Sequence, residues 1–422
     1  MSRNPRLTAL LPLLLPLLIL PLLLLASAPA RAGVAPGDLL VYYGWPSGIN
    51  GTFTVAGAAA EFAAYDLVVL GDGLEKATHP DHANTVAIMA QARALAGTRF
   101  FGYVDLGVST QNLPEAEIAL RIDEWLAAGA EGIFLDDYGY DFGVTRARQN
   151  AAVDHAHLRG LPVVANAWVP ADVFGTAVDP VANPAGAAPR LGPGDAYLAE
   201  SHAVALGQWQ DTAAWWAKAA ALAAYREQWG FDVISVTTPD AAGNFDAAAF
   251  AWAWHAALLG GHAATGWGEP AFAAATGLAP WRPRPSTDAG AAFAGPAALV
   301  GDVAVRYTDT GLLRLDTATH EASFTPGASP TPDRAAAAAP RAVPNPFNPV
   351  TRVRFSLDRP ARLRIAVHAL DGTRVAVLAD GREYAAGDHD VRFDGRGLGA
   401  GVYLVRIDGA GAPRTCRVTL VK

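Results

Sequence analysis

Cysteine occurs once, as Cys416, which excludes an intrachain disulfide framework and a cysteine-built zinc site. Lysine is confined to Lys76, Lys218 and Lys422, and the formal charge is −8. A chain of that sign offers no basic face to a phosphate backbone, so a nucleic-acid partner is excluded. There is no G-x-S-x-G elbow, no P-loop and no H-E-x-x-H helix, which removes the serine-hydrolase, nucleotide-binding and zincin readings. The histidine clusters, His79/His82 in THPDH and His155/His157 in DHAH, lack the four-residue spacing that puts two imidazoles on one helical face, and read as solvated surface. Asp136, Asp137 and Asp141 could gather a calcium ion, but the loop lacks EF-hand spacing. No metal and no cofactor is expected.

What is present begins with an address. Arg3 and Arg6 precede a Leu-rich run to Leu25, and Ala30-Arg31-Ala32 forms an A-x-A site. Residues 1–32 therefore read as a secretory signal peptide. Pro12, Pro16 and Pro21 argue against a regular spanning helix, so no membrane segment is expected in the mature form. Losing Arg3, Arg6 and Arg31 would take the charge from −8 to −11. The expected destination is secretion or attachment to a bacterial cell surface.

From Asp38 to about Trp267 one unit recurs: a short apolar strand, a polar or Gly-rich end, then a helical stretch. Strands are expected at 39–45, 67–71, 100–106, 132–136, 162–166, 196–200, 232–237 and 263–267, with helical periodicity at 115–128 and 211–229. Eight such repeats have the size and rhythm of a (β/α)8 TIM barrel, placed at 35–285. An open doubly wound sheet is the alternative, but it usually has fewer strands and a phosphate-binding Gly turn after the first. Here the first strand ends in Tyr42-Tyr43-Gly44-Trp45-Pro46. Residues 286–324 read as a β appendage, 325–342 as a disordered linker rich in Pro, Ala, Ser and Thr, and 343–422 as a small all-β sandwich.

Catalytic side chains of such barrels sit at the C-terminal ends of strands. Those ends carry Tyr43 and Trp45, Asp72, Asp105, Asp136 and Asp137, Asn166, Glu200, Thr237 and Thr238, and Trp267. Each alone could be a cap or a turn; together they converge on one mouth. Alternation puts Phe134 and Asp136 on one face of the fourth strand and Ile133, Leu135 and Asp137 on the other. Asp136 is thus expected to point into the mouth, with Asp137 turned away to cap a turn or support its neighbour. Two carboxylates from different strands, Asp136 and Glu200, match what glycoside hydrolysis requires. Tyr43, Trp45, Tyr138, Tyr140, Trp168, Trp209 and Trp267 lie at or just past strand ends, where rings could stack on sugar faces, although plain packing is the competing reading.

Two resemblances add to this. The run "FGYVDLGVSTQNLPEAEIALRIDEWLAAGAEGIFLDD", then "LPVVANAW", then "DAYLAES", resembles the spherulin-like glycosidases and the endo-α-1,4-polygalactosaminidases over roughly residues 38–270. That resemblance implies a retaining TIM-barrel hydrolase of galactosamine-containing polysaccharide, with Asp136 as nucleophile, Glu200 as general acid/base, and Asn166 and Asp105 contacting sugar. The spherulin-like form usually has Glu where this chain has Asp137, and Ala167-Trp168 replaces a Pro-Gly turn. "PNPFNPVTRVRFSL", "ALDGTRVAVL" and "AAGDHDVRFDGRGLGAGVYLVRI" resemble the Ig-like module of flagellar hook-cap type and the sorting domains of type IX secretion substrates. They imply secretion or sorting machinery as a partner, beside the polysaccharide substrate. A non-catalytic surface protein that binds polysaccharide through its barrel is the rival reading.

Overall fold

The computed structural model describes residues 33–328, 340–357, 360–370, 372–385, 387–409 and 413–421. The expected signal peptide and residues 329–339 of the expected linker lie outside the described residues. Eight parallel strands close a barrel: β1 Gly37–Tyr42, β2 Leu67–Leu70, β3 Arg99–Asp105, β4 Gly132–Asp136, β5 Val163–Asn166, β6 Ala196–Ala199, β7 Asp232–Thr237 and β8 Ala264–Trp267. Each pairs with its sequence neighbours, and β1 pairs with both β2 and β8, so no edge is left open. β4 and β7 occupy the expected residues; β1 stops at Tyr42, leaving Tyr43 and Trp45 in the loop beyond it.

Side chains alternate across this wall. Val41, Val69, Phe101, Phe134, Val164, Leu198, Ile234 and Val236 fill the interior. Tyr42, Val68, Phe100, Ile133, Leu135, Val163 and Tyr197 face the outer helices. Those helices are α1 Val55–Phe62, α2 His82–Ala96, α3 Glu115–Ala128, α4 Arg146–Leu158, the short α5 Pro170–Phe174, α6 Thr212–Trp229 and α7 Ala247–Gly260. Thr145, Asp211 and Asp246 cap α4, α6 and α7 by accepting from backbone N–H groups of the first turn. Gly102 in β3 lets the outer helix approach closely: a Cβ there would sit 2.1 Å from the Trp125 ring, whose Nε1 donates to the Tyr103 carbonyl at 2.9 Å. That contact fixes the backbone carrying Tyr103 and Asp105.

After the barrel, β9 Ala298–Val300, β10 Val303–Tyr307, β11 Gly311–Asp316 and β12 Glu321–Pro326 form an antiparallel meander, and Leu313 and Leu315 join α7 residues in one buried cluster. The C-terminal region holds two antiparallel sheets with a shared core. One contains β13 Arg341–Val343, β14 Val350–Leu357 and β17 Gly387–Asp394. The other contains β15 Ala361–Ala369, β16 Arg374–Tyr384, β18 Gly401–Asp408 and β19 Arg414–Leu420. The expected linker is shorter than the composition implied. Thr325 and Pro326 pair in β12, while Arg341 and Ala342 pair with Arg354 and Val353, because ladder hydrogen bonds extend past the last apolar residue. Among the described residues no helix is long and apolar enough to cross a membrane.

Candidate active site

Asp136 ends β4 opposite Asp105 of β3, and both project from the C-terminal side of the barrel. Asn166 ends β5, and Glu200 follows β6 directly. One amide nitrogen joins the pair: Asn166 Nδ2 donates to Asp136 Oδ1 at 2.8 Å and to Glu200 Oε2 at 2.9 Å. Those two oxygens therefore lie no farther apart than the sum of the two bonds. Tyr103 supplies a further hydrogen bond to Asp136. Burial pushes the Asp136 carboxyl up to about 6, against the Asn166 bond, which favours the charged form, and with the Glu200 charge adding to the rise. Burial first, then the charge of Asp136, also holds the phenols of Tyr43 and Tyr103 well above their ordinary range. Both phenols thus remain neutral beside the pair, and that of Tyr103 donates to Asp136.

The segment after Glu200 is tightly held. Ser201 has φ +56°, its hydroxyl pairs with Thr238 Oγ1 at 2.9 Å, and its carbonyl accepts from Gln210 Nε2 at 2.8 Å. His202 N donates to the Val236 carbonyl at 3.0 Å. The carboxylate is therefore carried on backbone anchored to β7, which limits its wandering.

Asp137 departs from the alternation expected of it. Its φ of +50° ends the extended backbone at Asp136 and swings its side chain round to Asp105 and the Gly107 turn, instead of onto the outer face. Asp137 shares a hydrogen bond with Asp105, and Thr110 Oγ1 donates to Asp105 Oδ1 at 2.8 Å. Burial and the Asp136 charge push Asp137 up to about 6, so the second acidic pair holds a proton below that pH. A Cβ on Gly107 would meet Thr110 Oγ1 at 2.2 Å and Asp137 Cβ at 2.9 Å, which is why this turn needs glycine.

Two expected sugar platforms are core residues. Tyr138 is fully buried in the outer layer, its hydroxyl without a partner among the described residues; its N–H donates to the Asn166 carbonyl at 2.9 Å and its carbonyl accepts from Gln149 Nε2 at 2.8 Å. Trp267 alternates with the inward Ala264 and so faces α7, edge-on to Phe245 and Phe250. Trp209 instead stacks on His320 of the appendage, ring centroids 4.2 Å apart. Trp45 and Trp168 are about half exposed. Trp45 Nε1 donates to Asp72 Oδ2 at 3.1 Å, and the His79 ring meets Trp45 edge-on while its Nε2 lies 3.7 Å from Asp72, so the loops after β1 and β2 build a rim group of their own. Tyr103 is the residue that strand ends alone did not reveal; it shares the inward face with Phe101 and Asp105, so alternation along β3 locates it. Among the described residues no cluster of three or more His, Cys, Asp or Glu is arranged to hold a metal ion.

No family model matches the chain, and no curated protein matches it. Among solved structures, an engineered protein aligns with 91% of this chain and 93% of its own at 13% identity and a TM-score of 0.35. Malate synthase from Haloferax volcanii aligns with 60% of this chain and 72% of its own at 10% identity and a TM-score of 0.35. An aldolase from Escherichia coli K12 aligns with 56% of this chain and 75% of its own at 14% identity and a TM-score of 0.31. The closed ring of eight parallel strands defines the class by itself: a (β/α)8 barrel followed by an all-β region.

Proposed function

We propose that this protein is a glycoside hydrolase acting with retention of configuration on an amino-sugar polysaccharide of galactosamine type, with Asp136 and Glu200 as its carboxylate pair. The observation that carries the reading is the single Asn166 amide bonded to one oxygen of each carboxylate. Retaining enzymes keep their carboxyl groups about 5–5.5 Å apart, whereas inverting ones leave about 6.5–9.5 Å for a water. A shared donor favours the shorter class. In this mechanism one carboxyl protonates the leaving glycosidic oxygen while the other attacks the anomeric carbon. The first then takes a proton from the water that releases the sugar.

The resemblance makes Asp136 the nucleophile, and its hydrogen bonds from Asn166 and Tyr103 would orient one oxygen and stabilise its charge as it forms the glycosyl ester. One observation favours the opposite roles: burial raises Asp136, and in such pairs the raised carboxyl is ordinarily the acid. Azide separates the two. With galactosamine polymers, acetylated and deacetylated, as substrates, Asp136→Gly and Glu200→Gly are each assayed with sodium azide. The nucleophile variant yields a glycosyl azide of inverted configuration, and the acid/base variant one of retained configuration. A wild-type protein that binds these polymers but releases no product makes the barrel a polysaccharide-binding scaffold instead. Secretion or surface attachment, with the C-terminal β region serving a sorting machinery, completes the proposal; the sequence motifs support it.

A further inference from the structure

A cavity of about 380 Å³ opens on the flank of the barrel between α6, α7 and the segment before β9; neither Asp136 nor Glu200 lines it, and His202, two residues after Glu200, does. It exists because α6 presents Ala219, Ala220 and Ala223 where larger side chains would close the gap against α7. Trp215 and Trp216 stand toward one end of α6, and Arg226 lies about 15 Å farther along the helix. Its size falls within the roughly 300–1,000 Å³ usual for small-molecule sites.

Two guanidinium groups converge there. Arg226 Nη1 donates to the carbonyls of Gly260 and Gly261 at 3.1 and 2.9 Å. Arg306 donates through Nε to Gly295 at 3.1 Å and through Nη1 to Leu259 at 2.7 Å, with its plane over Phe293 at 3.4 Å. The Nη2 groups of both have no hydrogen-bond partner among the described residues, and no carboxylate lines the cavity. Burial, then the neighbouring Arg226 charge, lowers Arg306 to about 10. His202 and His262, rings 4.5 Å apart, stay neutral there, since burial drives both below their ordinary range, so neither adds a charge of either sign. Helix capping explains the bonds of Arg226 Nη1. It does not explain why two fixed cations share an open, apolar-walled cleft without a counter-ion.

We propose that this cleft binds a small amphiphilic carboxylate, its head on the free Nη2 groups of Arg226 and Arg306 and its aryl or medium-chain alkyl tail over Trp216 and the alanine face of α6. The charge complementarity is specific: a neutral alcohol of equal length loses the ion-paired hydrogen bonds, and an amine meets two like charges. The test titrates the full chain with octanoate, 3-phenylpropionate, 1-octanol and octylammonium, followed by tryptophan fluorescence and calorimetry. Either carboxylate is expected to bind saturably and about ten- to hundredfold more tightly than 1-octanol, with octylammonium not binding. Ala220→Trp fills the cleft from a solvent-facing position, and is expected to abolish carboxylate binding while leaving the unfolding midpoint unchanged. Equal binding of octanoate and 1-octanol, undiminished carboxylate binding by the Ala220→Trp variant, or no saturable binding of either carboxylate would each overturn the assignment.

Discussion

Strands β3 to β6 and strands β7 and β8 close the same barrel but end differently. The first arc terminates in Asp105, Asp136, Asn166 and Glu200, whose side chains meet in the mouth with Tyr103. The second terminates in Thr237 and Trp267, paired across the sheet and both buried, with Trp267 packed toward α7. The difference follows from phase. On β3 the inward set is Phe101, Tyr103 and Asp105, and on β4 it is Phe134 and Asp136, so the last residue falls in phase with the interior. On β7 and β8 the inward residues are Ile234, Val236 and Ala264, which leaves the last residue out of phase. The carboxylates and their shared amide are concentrated on the arc whose final residue points in, and the other arc packs as scaffold.

The largest expected effect breaks the working arc. Glu200→Gln and Asp136→Asn are each expected to lower kcat on the cleaved polymer by about 10³-fold or more, while binding of the polymer persists. On the other arc, Trp267→Ala is expected to lower stability by ~3 kcal/mol or more through the cavity left between Phe245 and Phe250, with kcat of the folded fraction nearly unchanged. Initial rates and denaturant unfolding on the three variants check this together. A loss of turnover in the Trp267 variant equal to that of Glu200→Gln would erase the distinction between the arcs.

Next comes the amide that ties the working arc together. Asn166→Ala removes a donor from both carboxylates, leaving like charges without their shared partner. kcat is expected to fall about 10²-fold. The Asn166 bond favours the charged form of Asp136, so its loss should also move the acidic limb of the pH–rate profile upward from about 6. An unmoved acidic limb would show that Asp136 is not the carboxyl that must be charged, which removes it as the nucleophile.

Much of this was legible in the residues themselves. Alternation of apolar strands with helical stretches located all eight barrel strands, since a strand buried on both sides reads as a short apolar run. The same alternation aimed Asp136 inward, and carried along β3 or back from Trp267 it also locates Tyr103 and turns Trp267 outward. Asp137 and Tyr138 were not legible in this way. The φ of +50° at Asp137 breaks the period of two, and Asp tolerates that conformation without a sequence signal. Tyr138 beyond it belongs to no strand, so its burial is decided by where Gln149 of α4 catches its carbonyl. The left-handed turns at Ser201 and Asp72 are hidden for the same reason: they are set by tertiary hydrogen bonds.

Placing charge in the working arc should weaken the fold, and pH exposes this. The Asp136 carboxyl sits at about 6 in the folded chain, above its ordinary value of 3.8. The folded form therefore holds the proton more tightly. That stabilising contribution is full below about pH 4 and is lost as pH rises through about 6. Asp136→Asn carries no charge at any pH and is expected to be more stable than wild type at pH 8 by ~1–2 kcal/mol, a figure discounted because the carboxyl edge faces the open mouth. At pH 4 the two should unfold at the same denaturant concentration. A variant less stable than wild type at pH 8 would show that the hydrogen bonds of Asp136 outweigh its desolvation.

The smallest effect belongs to the scaffold arc and has the opposite origin. Thr237 is buried, and its Oγ1 has no hydrogen-bond partner among the described residues. A hydroxyl taken out of water without a new bond contributes nothing in the folded state, so an isosteric methyl should do at least as well. Thr237→Val is expected to leave stability unchanged or raise it by up to ~1 kcal/mol, with turnover intact, because the residue ends a strand but faces away from the mouth. Denaturant midpoints and kcat of this variant measure both halves of the claim. A drop in kcat with stability preserved would place Thr237 among the residues that serve the carboxylate pair, and would extend the working arc to a fifth strand.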